Sequence, residues 1–409
     1  MFTGFNKKSK SRLLKGIIIF VAVTFALGLA YTGTRIGKPA STDESRPIAV
    51  VNGEKITFGA FAEAHQRVLL NQHQQMGDIP PELYGPLRVA VLDQMVQQTL
   101  LLQEAKKERI KVSSRELNEK LNQQKAGFSS DKEFKDALEY AGLTVPKLRE
   151  LLRQQLLLQN LIDKVKAEAK VSPEDVKKAY QEEYKKAPEG PDFEKARPEL
   201  EKRLKAEAEA KVVDKWFKGV MDSAKIDIFD DEINGIKSAQ KGDLDKAITY
   251  YESALKRNPD NQYVYVDLGI AYQRKKDIDK AIANFKKAVE LSPNDAYMRL
   301  LLGNAYKEKG MVDEAVTEFR QASDLGYADM LLHFRLQGLF KAMGKDADAR
   351  NEEKRIQELQ KLMEARQKAQ QQQLEQQLKK LQENQQSQKK QQSQEKQQDQ
   401  QKRQNQQKP

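Results

Sequence analysis

Three histidines and no cysteine leave this chain few side chains that could serve as nucleophiles, general bases or metal ligands. His65 and His73 share one face of a predicted helix, but no carboxylate pattern beside them completes a metal site. We therefore expect His65, His73 and His333 to be surface histidines without a metal or catalytic role. No phosphate-binding glycine loop and no serine–histidine–aspartate arrangement can be recognised. These residues predict a protein that binds other molecules, uses no cofactor and is not an enzyme.

A repeat in the C-terminal half indicates what kind of binding this is. Alanine recurs every 34 residues, at Ala247, Ala281, Ala315 and Ala349. Aromatic residues keep the same phase on both sides of these alanines: Tyr251, Phe285, Phe319, Tyr272, Tyr306 and Phe340. The period predicts two antiparallel helices per unit, which must stack on neighbouring units because one helix pair cannot bury its own apolar face.

Residues at these offsets resemble the tetratricopeptide repeat family, as in the third unit with Leu302, Gly303, Tyr306, Ala315 and Phe319. Four units cover about residues 228–363, and the first and last are degenerate, as expected of terminal units. In the first repeat Ser238 replaces the first-helix aromatic, and in the fourth repeat Glu353 replaces the second-helix aromatic. The resemblance implies a concave surface that binds a peptide or a partner protein.

First-helix positions of such repeats usually face the groove, and five of them are our candidates for peptide binding: Tyr263, Tyr297, Asn304, Lys307 and Arg335. Asn304 and Arg335 are similar to part of the arrangement with which some of these proteins grip a peptide C-terminus. The lysines of that arrangement are mostly missing here. A solvated polar face is the alternative interpretation.

The N-terminus predicts export. Basic residues between Lys7 and Lys15 precede an uncharged, largely apolar stretch from Gly16 to Thr34. A retained anchor would leave the N-terminus in the cytoplasm and the rest outside. A signal peptide cleaved near Gly28–Ala30 is the rival, and it would make the protein secreted. The net charge of +11 indicates attraction to anionic surfaces and no specific binding of nucleic acid.

The middle of the chain opens with an apolar run, residues 47–51, followed by Asn52-Gly53, which predicts a strand entering a tight turn. Helical patterns follow to about residue 224, and residues 226–229 alternate like a short strand. Residues 47–229 resemble the chaperone domain of the SurA, PpiD and PrsA group of exported foldases. The carrying segments are residues 49–57, residues 171–184 and Trp216 with residues 224–226. The resemblance implies that the strand at 48–51 pairs with 226–229, closing a helical clamp for unfolded chains.

The chain departs from that group at one point. Many members carry a parvulin-type prolyl isomerase domain between the helix that begins near Ser172 and the last long helix. Here residues 187–192 join these helices, and such a linker is too short for a folded domain of at least about 50 residues. We therefore expect no isomerase activity.

Leucine-rich stripes at 87–102 and 148–162 admit two interpretations. They form an ordinary core, or some of them line an apolar cradle for unfolded clients.

The fold prediction is a mainly α protein: a helical SurA-like domain with a small β pairing, then an α-solenoid of about four repeats and a Gln-rich tail. The predicted parts are 1–34 (basic segment and anchor or signal peptide), 35–46 (linker), 47–229 (chaperone domain), 230–363 (repeats) and 364–409 (helical to disordered, coiled-coil-like tail). The functional prediction is a non-enzymatic chaperone, extracytoplasmic and anchored once in a bacterial cell membrane. Its predicted partners are unfolded or exported polypeptides, with a further protein on the repeats. The alternatives are a scaffold of an envelope complex and a prolyl isomerase.

Overall fold

The computed structural model describes residues 44–76, 79–140, 143–184 and 192–405. The predicted anchor at 1–34 lies outside these ranges, as does nearly all of the predicted 187–192 linker. Within the described ranges the chain is mainly α, as predicted, with fifteen α-helices and a three-stranded sheet. None of those helices is both long and apolar enough to cross a membrane.

The chain forms two compact units. The first unit takes the described residues of 1–71 and 86–234, and the second takes those of 72–85 and 235–409. The second unit therefore includes a short stretch from early in the chain in addition to the repeats. The predicted domain boundaries stay a prediction.

The sheet of the first unit joins chain segments that are far apart in the sequence. Its strands are β1 (Pro47–Val51), β2 (Glu54–Thr57) and β3 (Ile226–Ile228), in the order β2-β1-β3, with both pairs antiparallel. Ala49 lies opposite Ile228 and Val51 lies opposite Ile226, which confirms the predicted pairing. Asn52 and Gly53 have positive φ angles of 49° and 88°, as the tight turn predicted from Asn-Gly requires.

A polar network around the turn ties this sheet to the helices. The Asn52 backbone N–H donates to the Lys225 carbonyl at 2.9 Å, and the Asn52 side-chain oxygen accepts the Lys225 N–H at 2.8 Å. The Gln103 amide donates to the Val51 carbonyl at 3.0 Å and to Glu54 at 3.1 Å. Asn52 thus satisfies the backbone groups of Lys225, directly before β3, that would otherwise lack partners at the end of the ladder.

The helices of the first unit begin where their capping residues allow. Ser113 and Glu116 form the predicted capping box, with each side chain bonded to the other residue's backbone N–H. Thr144 caps a helix that has Pro146 in its first turn. The helices are α1 (Phe58–Met76), α2 (Tyr84–Lys107), α3 (Ser114–Lys125), α4 (Asp131–Tyr140), α5 (Val145–Lys166), α6 (Pro173–Tyr184) and α7 (Phe193–Ser223).

The leucine stripes of α2 and α5 are largely core. Leu92, Leu100 and Leu161 are all buried, and Leu148 packs in a cluster with residues of α3 and α4. Because side chains without solvent exposure cannot meet a client, the core interpretation holds for these residues.

The second unit contains the stacked helix pairs. The helices are α8 (Asp231–Gln240), α9 (Leu244–Arg257), α10 (Gln262–Arg274), α11 (Ile278–Leu291), α12 (Ala296–Lys309), α13 (Val312–Leu325), α14 (Met330–Ala342) and α15 (Asp346–Asn405). Aspartate or asparagine caps the first helix of three successive pairs, with the cap side chain accepting backbone N–H groups. These caps also repeat at the 34-residue period: Asn261, Asp295 and Asp329.

A glycine on the first helix faces an aromatic ring on the second helix within the same pair. A β-carbon on Gly269 would lie 2.5 Å from the Phe285 ring, and one on Gly303 would lie 2.6 Å from the Phe319 ring. Gly235 has the same relation to Tyr251 in the first pair. In the fourth pair both partners change together, because the corresponding positions hold Gln337 and Glu353. The close approach of the two helices therefore depends on this pair of residues.

Contrary to the prediction of surface histidines, His333 is buried and His65 is half-buried. His333 on α14 has no exposed surface; its Nδ1 lies 2.5 Å from a Glu352 oxygen, and the Ser323 hydroxyl donates to the other Glu352 oxygen at 2.7 Å. His65 on α1 stacks on the Phe61 ring with centroids 5.8 Å apart. A helical pattern places a residue on a face, but it does not say what packs against that face.

The last helix continues through most of the Gln-rich tail and ends at Asn405. Leu362 and Met363, at the end of the predicted repeat region, are more than half exposed. A coiled-coil role for this helix stays a prediction.

We expect Gly269→Ala to lower the free energy of unfolding by about 1–3 kcal/mol, because the added methyl group meets the Phe285 ring in a packed core. The matched control is Gly338→Ala on α14, where a β-carbon meets nothing within 4 Å. That change should raise stability by about 0.5–1 kcal/mol, since alanine is the better helix former. Urea unfolding followed by circular dichroism measures both, and equal shifts for the two variants would contradict the packing account.

We expect His65→Gln to weaken the acid sensitivity of the fold. Burial, and secondarily the charge of Arg88, lower the pKa of His65 from 6.5 to about 4. The unfolded chain therefore takes up a proton between these values and the folded chain does not. The contribution of His65 to the free energy of unfolding is full above pH 6.5 and is lost as the pH falls toward 4.

The measurement is the free energy of unfolding of both proteins at about pH 7.5 and about pH 5. The loss between these conditions should be smaller for His65→Gln than for the unchanged chain. Ala60→Gln, which introduces the same side chain at an exposed position of the same helix and removes no titratable group, is the control and should leave the loss as it is. An identical loss of unfolding free energy in all three proteins would show that His65 does not contribute to the acid sensitivity of the fold.

Candidate functional site: the groove of the repeats

The first helices of the repeat pairs carry the five predicted binding residues. Tyr263 lies in the first turn of α10, and Tyr297, Asn304 and Lys307 follow one another along α12. Arg335 lies on α14. The aspartate and asparagine caps fix where each helix begins, and therefore which side chains these helices present.

A segment of the chain itself is seated against these helices within the second unit. Residues Ile79–Tyr84, here called the internal segment, include the 3₁₀ turn Pro81–Leu83, which packs against α10. Ile79, Pro80 and Pro81 are buried. The two consecutive prolines hold the backbone extended on entry to the turn, because proline disfavours the helical conformation of the residue before it.

An aromatic contact forms one end of this interaction. The ring of Tyr84 stacks on the ring of Tyr263, with centroids 4.0 Å apart and planes inclined by 15°. Burial raises the pKa of Tyr263, and a hydrogen bond with Tyr84 adds to the effect. Such a stacked pair contributes about 0.5–1.5 kcal/mol beyond the area it buries.

An ion pair forms the other end. Arg335 donates to Glu82 at 3.2 Å, and its guanidinium lies 5.6 Å from the centroid of the Tyr297 ring. The Tyr297 hydroxyl donates to Asp329 at 2.6 Å, and burial and this bond raise the pKa of Tyr297. Asp329 also caps α14, so the residue that starts this helix also orients the ring beneath Arg335.

A cavity of about 370 Å³ lies beside this ion pair. Leucine side chains, here called the leucine floor, line it together with a carboxylate, a guanidinium and an amide. Its lining residues are Glu82, Leu300, Leu301, Asn304, Arg335, Gly338 and Leu339. An apolar floor with a few polar groups suits one apolar side chain of a peptide whose backbone meets the polar groups.

Exposed apolar side chains continue the same face of α14. Leu331 and Phe334 are 55% and 48% exposed, and they precede Arg335 and Gly338 at helical spacing. A large apolar residue exposed next to a cavity is typical of an interaction surface.

The structure thus brings together most of the predicted residues. Tyr263 and Arg335 contact the internal segment, and Asn304 lines the cavity with Arg335. Tyr297 is buried beneath the Arg335 guanidinium. Lys307 is not among the residues that line the cavity. Their role in peptide binding stays a prediction.

Sequence reasoning missed the residues that complete the groove. Glu82 and Tyr84 are far from the repeats in sequence, and the sequence pattern around Asp329 indicates only a helix cap. The one signal was Pro80-Pro81, which interrupts two helical patterns and marks a segment that needs contacts outside a helix.

The groove offers recognition without evident catalytic groups. In the described part of the chain, no three side chains of the metal-binding types lie close enough to hold an ion. The groups that meet at the groove are a guanidinium, a carboxylate, an amide, phenols and leucine side chains, which are suited to holding a polypeptide.

Comparison with known proteins gives two kinds of match. The SurA-like N-terminal domain family matches residues 1–162, and tetratricopeptide repeat families match residues 239–296 and 273–329. The crystal structure of MamA matches with 26% identity and a TM-score of 0.28, covering 31% of this chain and 73% of that one. That TM-score adds nothing to the repeat assignment, which the family matches already carry.

Two curated relatives are foldases. Foldase protein PrsA of Clostridium botulinum strain Hall is 30% identical over 261 residues, covering 60% of this chain and 74% of that protein. Foldase protein PrsA of Clostridium perfringens strain SM101 is 28% identical over 188 residues, covering 44% of this chain and 53% of that protein. These matches confirm the predicted resemblance. The chain therefore belongs to the PrsA foldase family and joins a SurA-like N-terminal domain to tetratricopeptide repeats.

Proposed function

We propose that this protein is a membrane-anchored, extracytoplasmic chaperone that binds unfolded or partner polypeptides and does not catalyse prolyl isomerisation. The observation that carries the proposal is the groove of the repeats. It holds a proline-containing segment of the chain itself through an ion pair and an aromatic stack, and it leaves an apolar cavity beside them.

The family relation supports the chaperone part of this proposal. The relatives are named foldases, and the described part of the chain includes the β1–β3 pairing that closes the SurA-like domain. The anchor rests on the sequence alone, on the basic residues before the apolar stretch at 16–34.

The absence of isomerase chemistry is also part of the proposal. Helix α6 ends at Tyr184 and α7 begins at Phe193, so the position where many foldases carry a parvulin domain holds only residues 185–192. A folded domain needs at least about 50 residues.

A scaffold role is the second candidate, and the exposed apolar face of α14 favours it. Leu331 and Phe334 would suit one fixed protein partner as well as many clients. Affinity capture with the full-length protein separates the two functions: one stoichiometric partner indicates a scaffold, and many unrelated unfolded clients indicate a chaperone.

We expect the full-length protein, purified in detergent, to suppress aggregation of a chemically denatured client at several-fold molar excess. The double substitution Leu331→Ser and Phe334→Ser should remove most of this effect, because it deletes the exposed apolar face of α14 next to the cavity. Light scattering during dilution from denaturant measures it.

The matched control replaces Leu362 and Met363 by serine. These residues are similarly exposed but lie on α15 at the end of the predicted repeat region, and they do not line the cavity. This variant should therefore suppress aggregation as the unchanged protein does. No suppression by the unchanged protein would refute the chaperone function. Equal loss in both variants would refute the role of the groove.

We expect no catalysis of proline isomerisation. In a protease-coupled assay with a proline tetrapeptide, the rate should stay at the uncatalysed value as protein is added. A rate that rises in proportion to the protein and survives repeated purification would restore the isomerase alternative.

A further inference from the structure

We propose that Glu82 and Tyr84 are internal occupants of the groove, in the place of two side chains of a bound peptide. The ligand inferred from them is a peptide that adopts a similar turn and carries a carboxylate side chain and, two residues later, an aromatic ring. Such a peptide competes with the chain's own pair for Arg335 and Tyr263. This inference rests on the proposed polypeptide-binding function and deepens it.

The receptor side of both contacts comes from the repeats. Arg335 is on α14 and Tyr263 is on α10, so two different helix pairs set the spacing that a ligand must match. The Tyr297 ring and its bond to Asp329 orient the guanidinium before any ligand arrives. A receptor that is oriented in advance loses less entropy when it binds.

The contacts of the internal pair can be exchanged without unfolding the segment. The side chains of Glu82 and Arg335 are 26% and 41% exposed, and an ion pair open to solvent contributes about 0–1 kcal/mol. Ile79, Pro80 and Pro81, which precede the pair, are buried and can hold the segment in place while Glu82 and Tyr84 swing away.

The cavity gives a peptide from outside an advantage over the internal pair. It borders Glu82 and Arg335, and its leucine floor is left unfilled by the internal segment. A ligand that pairs with Arg335 and also places an apolar side chain on the half-buried Leu301 and Leu339 buries surface that the internal segment does not bury. Only such a difference in affinity can shift the balance toward the outside peptide.

The test uses a fluorescein-labelled synthetic peptide with the sequence of residues 77–86, GDIPPELYGP, and the full-length protein in detergent. Fluorescence anisotropy measures its dissociation constant. The variant with Glu82→Ala and Tyr84→Ala should bind the peptide about tenfold more tightly than the unchanged protein, if the internal pair occupies the groove about nine-tenths of the time.

Two further changes identify the site. On that open background, Arg335→Glu should weaken binding at least about tenfold, because it places like charges opposite each other. A peptide with lysine at the position of Glu82 should bind this reversed variant better than the original peptide does. Arg350→Glu, the same charge reversal at an exposed position of α15, is the matched control and should leave binding unchanged.

Circular dichroism and urea unfolding verify that each variant keeps its fold, and Glu82→Gln alone replaces the double variant if that one unfolds. Binding by the open variant that is no tighter than in the unchanged protein, or that is indifferent to Arg335→Glu, overturns the inference. If aggregation suppression still depends on Leu331 and Phe334 in that event, the proposed chaperone function survives. If the unchanged protein also does not suppress aggregation, the inference and the proposed chaperone function both fail.

Discussion

The second unit depends on how closely the two helices of each pair can approach. The ring of Phe285 lies only 2.5 Å from where a β-carbon on Gly269 would be, and the same relation recurs at Gly303 and Phe319. This contact sets the separation of the helices and therefore the positions of the first helices, which carry the groove. Where the fourth pair lacks both partners, a buried hydrogen-bonded set of His333, Glu352 and Ser323 lies near its helices instead.

The groove shows how a repeat surface is given specificity by few groups. It has two directional contacts. One is made by the Arg335 guanidinium, which the Tyr297 ring orients, and the other is the stack of Tyr84 on Tyr263. The leucine floor adds surface that any apolar side chain can cover. Directional contacts select the register of a peptide, whereas apolar area contributes affinity with little selectivity.

The internal segment links the two parts of this protein in the sequence. Residues 72–85 belong to the repeat unit, although the chain before and after them belongs to the first unit. The two parts of this foldase family member are therefore not simply consecutive along the chain. A segment from within the region that resembles a foldase occupies the groove of the repeats. Because the internal segment is part of the same chain, it competes with outside peptides for the groove at a local concentration that does not depend on how much protein the cell makes.

The sequence by itself determined the elements whose signals are local. The 34-residue period placed the helix pairs, Asn52-Gly53 placed the tight turn, and Ser113 with Glu116 placed a helix start, because each depends on residues a few positions apart. The pairing of 48–51 with 226–229 required the family resemblance as well. The groove positions Tyr263, Tyr297 and Arg335 followed from the same period.

Only the tertiary structure decided what meets those positions. No local pattern tells that Glu82 reaches Arg335, 253 residues away, or that Tyr84 stacks on Tyr263. The same holds for His333, which a helical pattern can place on a face but cannot bury. The leucines of α2 and α5 had two interpretations for this reason, since core and binding surface use the same residue types. Contacts between distant segments depend on how whole elements pack, and the free energy of that packing is a property of all the elements together.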